Sequence, residues 1–410
     1  MLEVLTEKKD ALDLLFTKWS PKSSTEMVGL DECLDRVLAE DVYAQYNIPV
    51  VRSSSMDGIA VSSAKFVNPQ TGEEAMPDTE NWVLGKDYVR ADTGDDFDDA
   101  FDAVIPIEMV TLLENGGVKL DFSASGMPSP KKTEPFRVVP GSYIKPAGSS
   151  VKEGTLLAAK GTKVRPEDIA SMGMGGGTQF AVVKKPVVAF IPTGSELVPA
   201  GSALQRGQNF NSNGPMVKAM LKQLGAEPVI MEIVKDKKSE LRSALEEALK
   251  IADIVVINGG SSKGEEDFNT RLLDEMGELL VHGVSAVPGR PTGIAVIGGK
   301  PVINTSGPAE ACFYGMTWCV AELINAILGL KERKAAKRMV TLAEDLTTPP
   351  VMSALIRLQV EETPEGPVAH PLDRFKSDMP SMMRTNALFM SHIGTGLYPA
   401  GTQIEVEMRL

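Results

Sequence analysis

The chain has 410 residues, 43% of them hydrophobic and 24% charged. Those are ordinary proportions for a folded protein, and at about 150 residues per domain the length predicts roughly two to four domains. Its 42 basic and 55 acidic residues leave a net charge of −13, which opposes nonspecific attraction to nucleic acid or anionic membranes, so neither is expected as a partner.

The N-terminus MLEVLTEKKD mixes acids among its apolar residues. No later window is expected to reach the roughly 18 apolar residues of a spanning helix, and the cytoplasm is the expected compartment. Cys33, Cys312 and Cys319 are too few and too scattered for a disulfide framework or a four-ligand zinc site and read as packing residues. His282, His370 and His392 are equally dispersed, so a histidine metal site or a His-based triad has little support.

In chain order, Leu12, Leu15, Phe16 and Trp19 recur at helical spacing, and so do Leu30, Cys33, Leu34, Val37 and Leu38. Two amphipathic helices separated by Pro21 are predicted. From Val42 to Arg137 short apolar runs alternate with Gly, Pro and Asn clusters, the pattern of a small β-rich insert. A helix after Pro166 then marks a return to the helical part.

From Pro186 the chain alternates strand and helix: PVVAFIP, a helix over 213–224, PVIMEIV, a helix over 239–249, DIVVING, and a helix over 268–276. Such alternation predicts a parallel sheet covered on both faces, with Asn213 as a helix cap. After the charged stretch KERKAAKR, residues 340–410 are rich in Val, Thr and Leu with proline breaks and read as a small β domain. The expected fold is therefore multidomain α/β plus β. Residues 1–44 and 138–180 form a helical linking part, 45–137 an inserted β-rich domain, 181–332 an α/β domain and 338–410 a C-terminal β domain.

Chain direction places the polar loops after Ile191, Val234 and Ile257 at the carboxyl ends of the strands, where open α/β sheets bind ligands. Pro192-Thr-Gly-Ser-Glu-Leu offers the Thr193 hydroxyl and the Glu196 carboxylate. Val234-Lys-Asp-Lys-Lys offers Asp236; read alone, each is an ordinary capped turn. Asn258-Gly-Gly-Ser-Ser-Lys-Gly-Glu-Glu-Asp-Phe is more specific. Its Gly259, Gly260, Ser261, Ser262, Lys263 and Gly264 could cradle phosphate, and Asp267 could share Mg²⁺ with Asp236 or Glu196. Neither a Walker pattern nor G-x-G-x-x-G is present, which argues against an NTPase or a dinucleotide-binding domain.

Val287-Pro-Gly-Arg-Pro supplies Arg290, suited to bidentate oxyanion contact or equally to a plain surface turn. Asn304-Thr-Ser-Gly-Pro-Ala-Glu supplies Ser306. Two further segments stand out nearer the N-terminus, Arg52-Ser-Ser-Ser-Met-Asp-Gly and the acidic run after Asp92-Thr-Gly, read mainly as a solvated loop and secondarily as a cation site.

Taken in order, these segments resemble the molybdopterin molybdenumtransferase family, which includes the E domain of gephyrin. SSSMDGIAV resembles S-A-M-D-G-Y-A-V, and Thr93-Gly94 with FDAVIPIE is similar to the family's T-G and A-D-A-V-V segments. PTGSEL resembles T-G-D-E-L, NGGSSKGEEDF resembles G-G-V-S-V-G-x-x-D-F, and VPGRPTG resembles K-P-G-K-P-T. The resemblance runs over nearly the whole chain. It implies an elongated homodimer of four-part chains and a molybdopterin-binding type of α/β domain. It also implies Mg²⁺-dependent insertion of molybdate into adenylylated molybdopterin with release of AMP, and transient contact with other cofactor-biosynthesis or recipient proteins.

Carried over position by position, Asp57, Thr93, Glu196, Asp236 and Asp267 match the family's functional residues, with Glu196, Asp236 and Asp267 as metal ligands. The departures are Ser195 and Ser150 for acids, Val287 for the first lysine of K-P-G-K-P, Arg290 for the second, and Ser306-Gly307-Pro308 for a P-G-N-P turn. They keep a noncatalytic carrier of molybdopterin or of the finished cofactor as an alternative.

Overall fold

The computed structural model describes residues 5–123, 136–260, 268–331, 336–372 and 383–409. The chain divides into two compact units, one of residues 27–182 and one joining residues 1–26 to 183–410.

The first predicted helix is present as α1 (Lys8–Lys18), with Ala11 and Leu15 buried. The second is not. Leu30–Glu32 makes only a short 3-10 turn, Asp35 takes a left-handed φ of 61°, and Val37 and Leu38 form antiparallel bridges to Lys163 and Val182. The apolar spacing suits that arrangement as well as a helix: Cys33 and Leu38 enter a core with Met172 and Val182, Val37 is buried too, and Leu34 stays half-exposed.

Within residues 27–182, strands β1 (Gly58–Val61), β2 (Tyr88–Ala91) and β3 (Ala103–Pro106) form an antiparallel sheet with β1 central. Every residue of β1 and β3 is buried, because two cores lie on opposite faces. Ile59, Val61, Ala103 and Ile105 join Trp82 and Tyr88 on one side, and Ala60 and Val104 join Phe101 on the other. Period-two alternation thus fills both sides of a small sheet. Helix α2 (Pro166–Met174) begins at the expected proline and contributes Met172.

In the other unit six strands lie in the order β5-β4-β6-β9-β8-β7, where β4 is Val187–Pro192, β5 Glu227–Ile230, β6 Ile254–Asn258, β7 Glu278–His282, β8 Gly293–Ile297 and β9 Lys300–Thr305. The first four are parallel; β8 and β7 are antiparallel, so the sheet is mixed rather than all-parallel. A short β8–β9 turn explains the reversal, since parallel neighbours need a crossover.

Alternate residues of β4 and β6 face opposite layers. Ala189, Ile191, Val255 and Ile257 pack with Leu241, Leu245 and Ala248 of α4 (Lys238–Ile251) and with Leu272 and Leu273 of α5 (Phe268–Met276). Val188, Phe190, Ile254 and Val256, fully buried too, belong to the other face, on which α3 (Asn213–Gln223) packs against β4. Truncating a buried phenylalanine such as Phe190 costs about 3–5 kcal/mol.

A helical run from Ala309 to Leu328, α6 (Ala309–Gly315), a π turn and α7 (Ala321–Leu328), is long and apolar enough to cross a membrane, contrary to the composition-based expectation. With 72% of its apolar window buried, it is a core helix of the α/β layers. It carries Cys312 and Cys319, both buried, where loss of solvation raises the thiol pKa, to about 12 for Cys312.

The C-terminal part closes on itself. Strands β10 (Lys337–Leu342), β11 (Ser353–Thr363), β12 (Gly366–Pro371), β13 (Ala387–Met390) and β14 (Gln403–Met408) pair as β11-β12-β10-β14-β13, and β13 returns to β11, making a small barrel. Alternating buried residues of β11, Ala354, Ile356, Leu358 and Val360, fill it.

Candidate active site at the sheet edge

The chain leaves β4 for β5 on one side and reaches β6 on the other, so the strand order switches between β4 and β6, where open α/β sheets form a crevice at their carboxyl ends. Thr193, first after β4, crosses that point: its amide and hydroxyl both donate to the Asn258 carbonyl, at 2.8 and 3.1 Å. The glycine-rich turn presses directly on it. Gly259 has φ 112°, and a Cβ there would come within 2.5 Å of the Thr193 carbonyl oxygen, so only glycine fits.

Four asparagines organise the floor. The Asn258 side chain donates to the Ser306 carbonyl at 2.7 Å and accepts from Asn213 at 2.8 Å; Asn213 also donates to the Gly307 carbonyl at 2.7 Å. Asn213 is therefore not the helix cap the sequence suggests; Asn211 accepts from the Gly214 amide at 3.0 Å instead. Asn269 donates to the Gly259 carbonyl at 2.9 Å and to Asn304 at 3.3 Å. Among the described residues, Asn269 Oδ1, Asn304 Nδ2 and Ser306 Oγ are buried without a hydrogen-bond partner. Native interiors seldom leave such atoms unpaired, which gives this floor spare polar capacity.

Glu196 and Asp236 flank the turn after β4. The Glu196 carboxylate folds back over Gly194, so close that a Cβ on Gly194 would lie 2.6 Å from Oε2. Asp236 Oδ2 accepts the Ser195 amide at 2.8 Å, and the Asp236 amide donates to Ser195 Oγ at 3.2 Å. Lys237 is the residue preceding α4, so Asp236 serves the turn rather than capping the helix. The structure thus gathers Thr193, Glu196, Asp236, Gly259, Gly260 and Ser306 at one sheet edge. Ser261, Ser262, Lys263, Gly264 and Asp267 lie outside the described residues.

Arg290 sits on an exposed turn whose carbonyl accepts the Val284 amide at 2.8 Å. The neighbouring Ala286–Val287 pairs with Ser353 and Ala354 of β11, so this turn faces the barrel.

In the other unit Asp57 and Thr93 pair closely. Asp57 Oδ1 accepts the Thr93 amide at 2.7 Å and its hydroxyl at 2.8 Å, and these two bonds lower the Asp57 pKa. The acidic run beyond Thr93 is less free than a solvated loop. Arg52 donates to Asp99 at 3.1 Å and to the carbonyls of Phe101 and Asp98 at 2.7 and 3.0 Å, with its guanidinium over the Phe97 ring. Asp102 accepts the amide and hydroxyl of Ser63 at 2.6 and 2.8 Å. The carboxylates of Asp95, Asp96 and Asp98 accept the amides of Asp92, Phe97 and Ala100, so all five aspartates hold local structure, which disfavours the cation-site reading.

A family model described as the MoeA N-terminal region (domain I and II) matches residues 6–176, and one described as a probable molybdopterin binding domain matches residues 189–326. A molybdopterin molybdenumtransferase of Bacillus subtilis is 29% identical over 400 residues, 94% of this chain and 90% of that protein. The chain is thus similar to molybdopterin molybdenumtransferases over nearly its whole length. A relative of the same name from Staphylococcus epidermidis is 29% identical over 92% of this chain and 90% of that protein. The crystal structure titled as molybdopterin biosynthesis moea protein from Pyrococcus horikosii superposes with a TM-score of 0.78 at 26% identity, covering 99% of both chains. The mixed α/β layers and the small barrel are therefore shared with that solved protein.

Sequence reading missed the asparagine floor. Its signal was present: β6 ends Val-Ile-Asn and β9 contains Val-Ile-Asn-Thr, two apolar runs that stop on an amide.

Proposed function

We propose that the chain is an enzyme of molybdenum cofactor biosynthesis, a transferase that inserts molybdate into adenylylated molybdopterin with Mg²⁺ present and releases AMP. The observation that carries this reading is the convergence of Glu196 and Asp236 on the Gly194–Ser195 turn, beside the glycine turn and asparagine floor of a domain matched by the molybdopterin-binding model. Among the described residues no group of three or more His, Cys, Asp or Glu side chains is arranged to hold a metal ion. Mg²⁺ nevertheless suits the donor set, because it commonly takes one or two carboxylates together with substrate phosphates and water. Glu196 and Asp236 would hold it, with Asp267 as the third carboxylate of the proposal, and it would neutralise phosphate charge when bound. Sulfur ligands for molybdenum come from the pterin, so three buried cysteines are no obstacle.

The remaining roles follow from chemistry. Gly259 and Gly260 let the turn pack against Thr193 and Asn269 at the edge of the site, Ser306 and the loop residues Ser261, Ser262, Lys263 and Gly264 would supply polar contacts to the pterin nucleotide, and Arg290 would contact an oxyanion. Asp57, held ionised by Thr93, offers a fixed acceptor. We further propose the arrangement in four parts given above, a homodimer, and action in the cytoplasm. Light scattering at micromolar concentration should give about twice the 43.9 kDa chain mass, and a monomer would reject the dimer. The carrier reading is favoured by one observation, the apolar Val287 where the resemblance puts a lysine. Mixing protein with adenylylated molybdopterin, Mg²⁺ and molybdate separates the two: an enzyme releases AMP and a carrier only binds.

A further inference from the structure

Strands β2 and β3 flank β1 and both run antiparallel to it, β2 ending at Ala91 opposite Gly58 and β3 starting at Ala103 opposite Val61. Residues 92–102 must therefore cross one face of the sheet, from one end of β1 to the other. Phe101 packs there with Ala60, Ala91 and Val104, and Phe97 lies against them. At its first step the crossover meets Asp57, the residue before β1, through Thr93.

Residues 92–102 contain no strand or helix, so their carbonyls need donors from elsewhere. Arg52 supplies them. Its Nη1 donates to the Phe101 carbonyl at 2.7 Å and its Nη2 to the carbonyls of Asp98 and Phe97 at 3.0 and 3.5 Å, with the guanidinium 4.9 Å from the centre of the Phe97 ring. Its Nε also donates to Asp99, but that side chain is 99% exposed, and such ion pairs contribute little. The carbonyl bonds carry the clamp.

From the clamp to Asp57 the route is short. The Ser54 amide donates to the Asp95 carbonyl and the Gly94 amide to the Ser54 carbonyl, both at 2.9 Å. Residues 52–57 and 93–101 are thus fastened at three successive places: by Arg52, by Ser54 and by Asp57 on Thr93. The lowered Asp57 pKa comes from the Thr93 amide and then its hydroxyl. Both bonds depend on direction as well as distance, so they weaken if the crossover shifts.

We propose that Arg52 is a positioning residue for the AMP-releasing reaction: by clamping residues 97–101 it keeps Thr93 on the Asp57 carboxylate. This rests on the reading of Asp57 as a functional acceptor. Arginine is required because its planar fork reaches several carbonyls at once, whereas lysine brings the same charge at a single point.

The test follows the Asp57 carboxyl titration by NMR on the full chain without any pterin nucleotide, so its outcome is separate from that of the AMP assay. Arg52→Lys keeps the charge and loses the fork, and Arg52→Gln loses both. The titration should move upward in both variants, and by similar amounts. An unmoved titration in both overturns the proposal, and so does movement in Arg52→Gln alone, which would mean that the charge acts on Asp57 directly. AMP release should fall roughly ten- to hundredfold in Arg52→Lys, the scale of a misplaced group. Undiminished release despite a moved titration overturns the role in the reaction. Should neither variant fold, hydrogen exchange on the wild-type chain decides: the amides of Thr93 and Phe101 open together if the clamp holds both, and independent opening overturns the proposal.

Discussion

Ser195 and Asp236 are joined by two hydrogen bonds of opposite sense: the Ser195 amide donates to the Asp236 carboxylate at 2.8 Å, and the Asp236 amide donates to the Ser195 hydroxyl at 3.2 Å. The turn after β4 and the segment before α4 are thereby locked together. The family pattern has an acid where this chain has Ser195. A serine here accepts from the Asp236 amide without placing a second negative charge beside that carboxylate.

This lock separates positioning from charge. Asp236→Asn keeps an acceptor for the Ser195 amide but removes the negative charge, whereas Asp236→Ala removes both. If the charge serves Mg²⁺, both variants should lose AMP release by roughly a hundredfold or more, at the scale of a lost charged contact. Near-wild-type release by Asp236→Asn at limiting Mg²⁺ would reduce Asp236 to a loop fastener.

Asn258 is the most connected member of the floor and is 2% exposed. Asn258→Leu would remove the partner of Asn213 and the donor to the Ser306 carbonyl. Each group left unpaired costs about 1–3 kcal/mol. The midpoint of urea unfolding should fall accordingly with an unchanged slope. A midpoint equal to that of the parent would show that the floor contributes little to stability.

Much of this was legible in sequence, for reasons that differ by element. The helix at Phe268–Met276 and the strands at Val187–Pro192 and Ile254–Asn258 stand out because long apolar runs and amphipathic repeats rarely serve any other structure. Leu30 to Leu38 misleads because its spacing also suits a chain that bridges two neighbours, a choice fixed by Lys163 and Val182 far along the sequence. Asn213 misleads because its local context favours capping, while the groups that claim its amide are Asn258 and Gly307. Loops at strand ends reveal their residue types in sequence; which carboxylate leans on which turn depends on the strand order.

Lys8 offers a pH signature of folding. It donates to Tyr314 and, at 3.4 Å, to Met390 Sδ, tying α1 to α6 and to the barrel strand β13. Burial lowers its pKa to about 8, against a smaller opposing pull from Glu407. Between that value and the ordinary lysine range the unfolded chain binds more protons, so this group makes stability rise as pH increases from about 8 toward 10. Lys8→Met should flatten that rise, measured as urea midpoints across the window. An unchanged slope would show that Lys8 titrates normally.

For Asp57 the sign is reversed. Its pKa is lowered by the Thr93 amide and then by the hydroxyl, so its contribution is present above the ordinary aspartate pKa and is lost as pH falls through the lowered one. Thr93→Val keeps the amide and deletes the hydroxyl. The Asp57 carboxyl titration, followed by NMR, should move upward in that variant, and an unmoved titration would mean that the amide alone holds the carboxylate.

The most direct test of the central claim is AMP release from adenylylated molybdopterin by purified protein in the presence of Mg²⁺ and molybdate, with Glu196→Gln alongside. The account predicts release that requires both Mg²⁺ and molybdate and disappears in Glu196→Gln while the fold is kept. Tight binding of the pterin nucleotide with no AMP released would contradict it and identify the chain as a carrier.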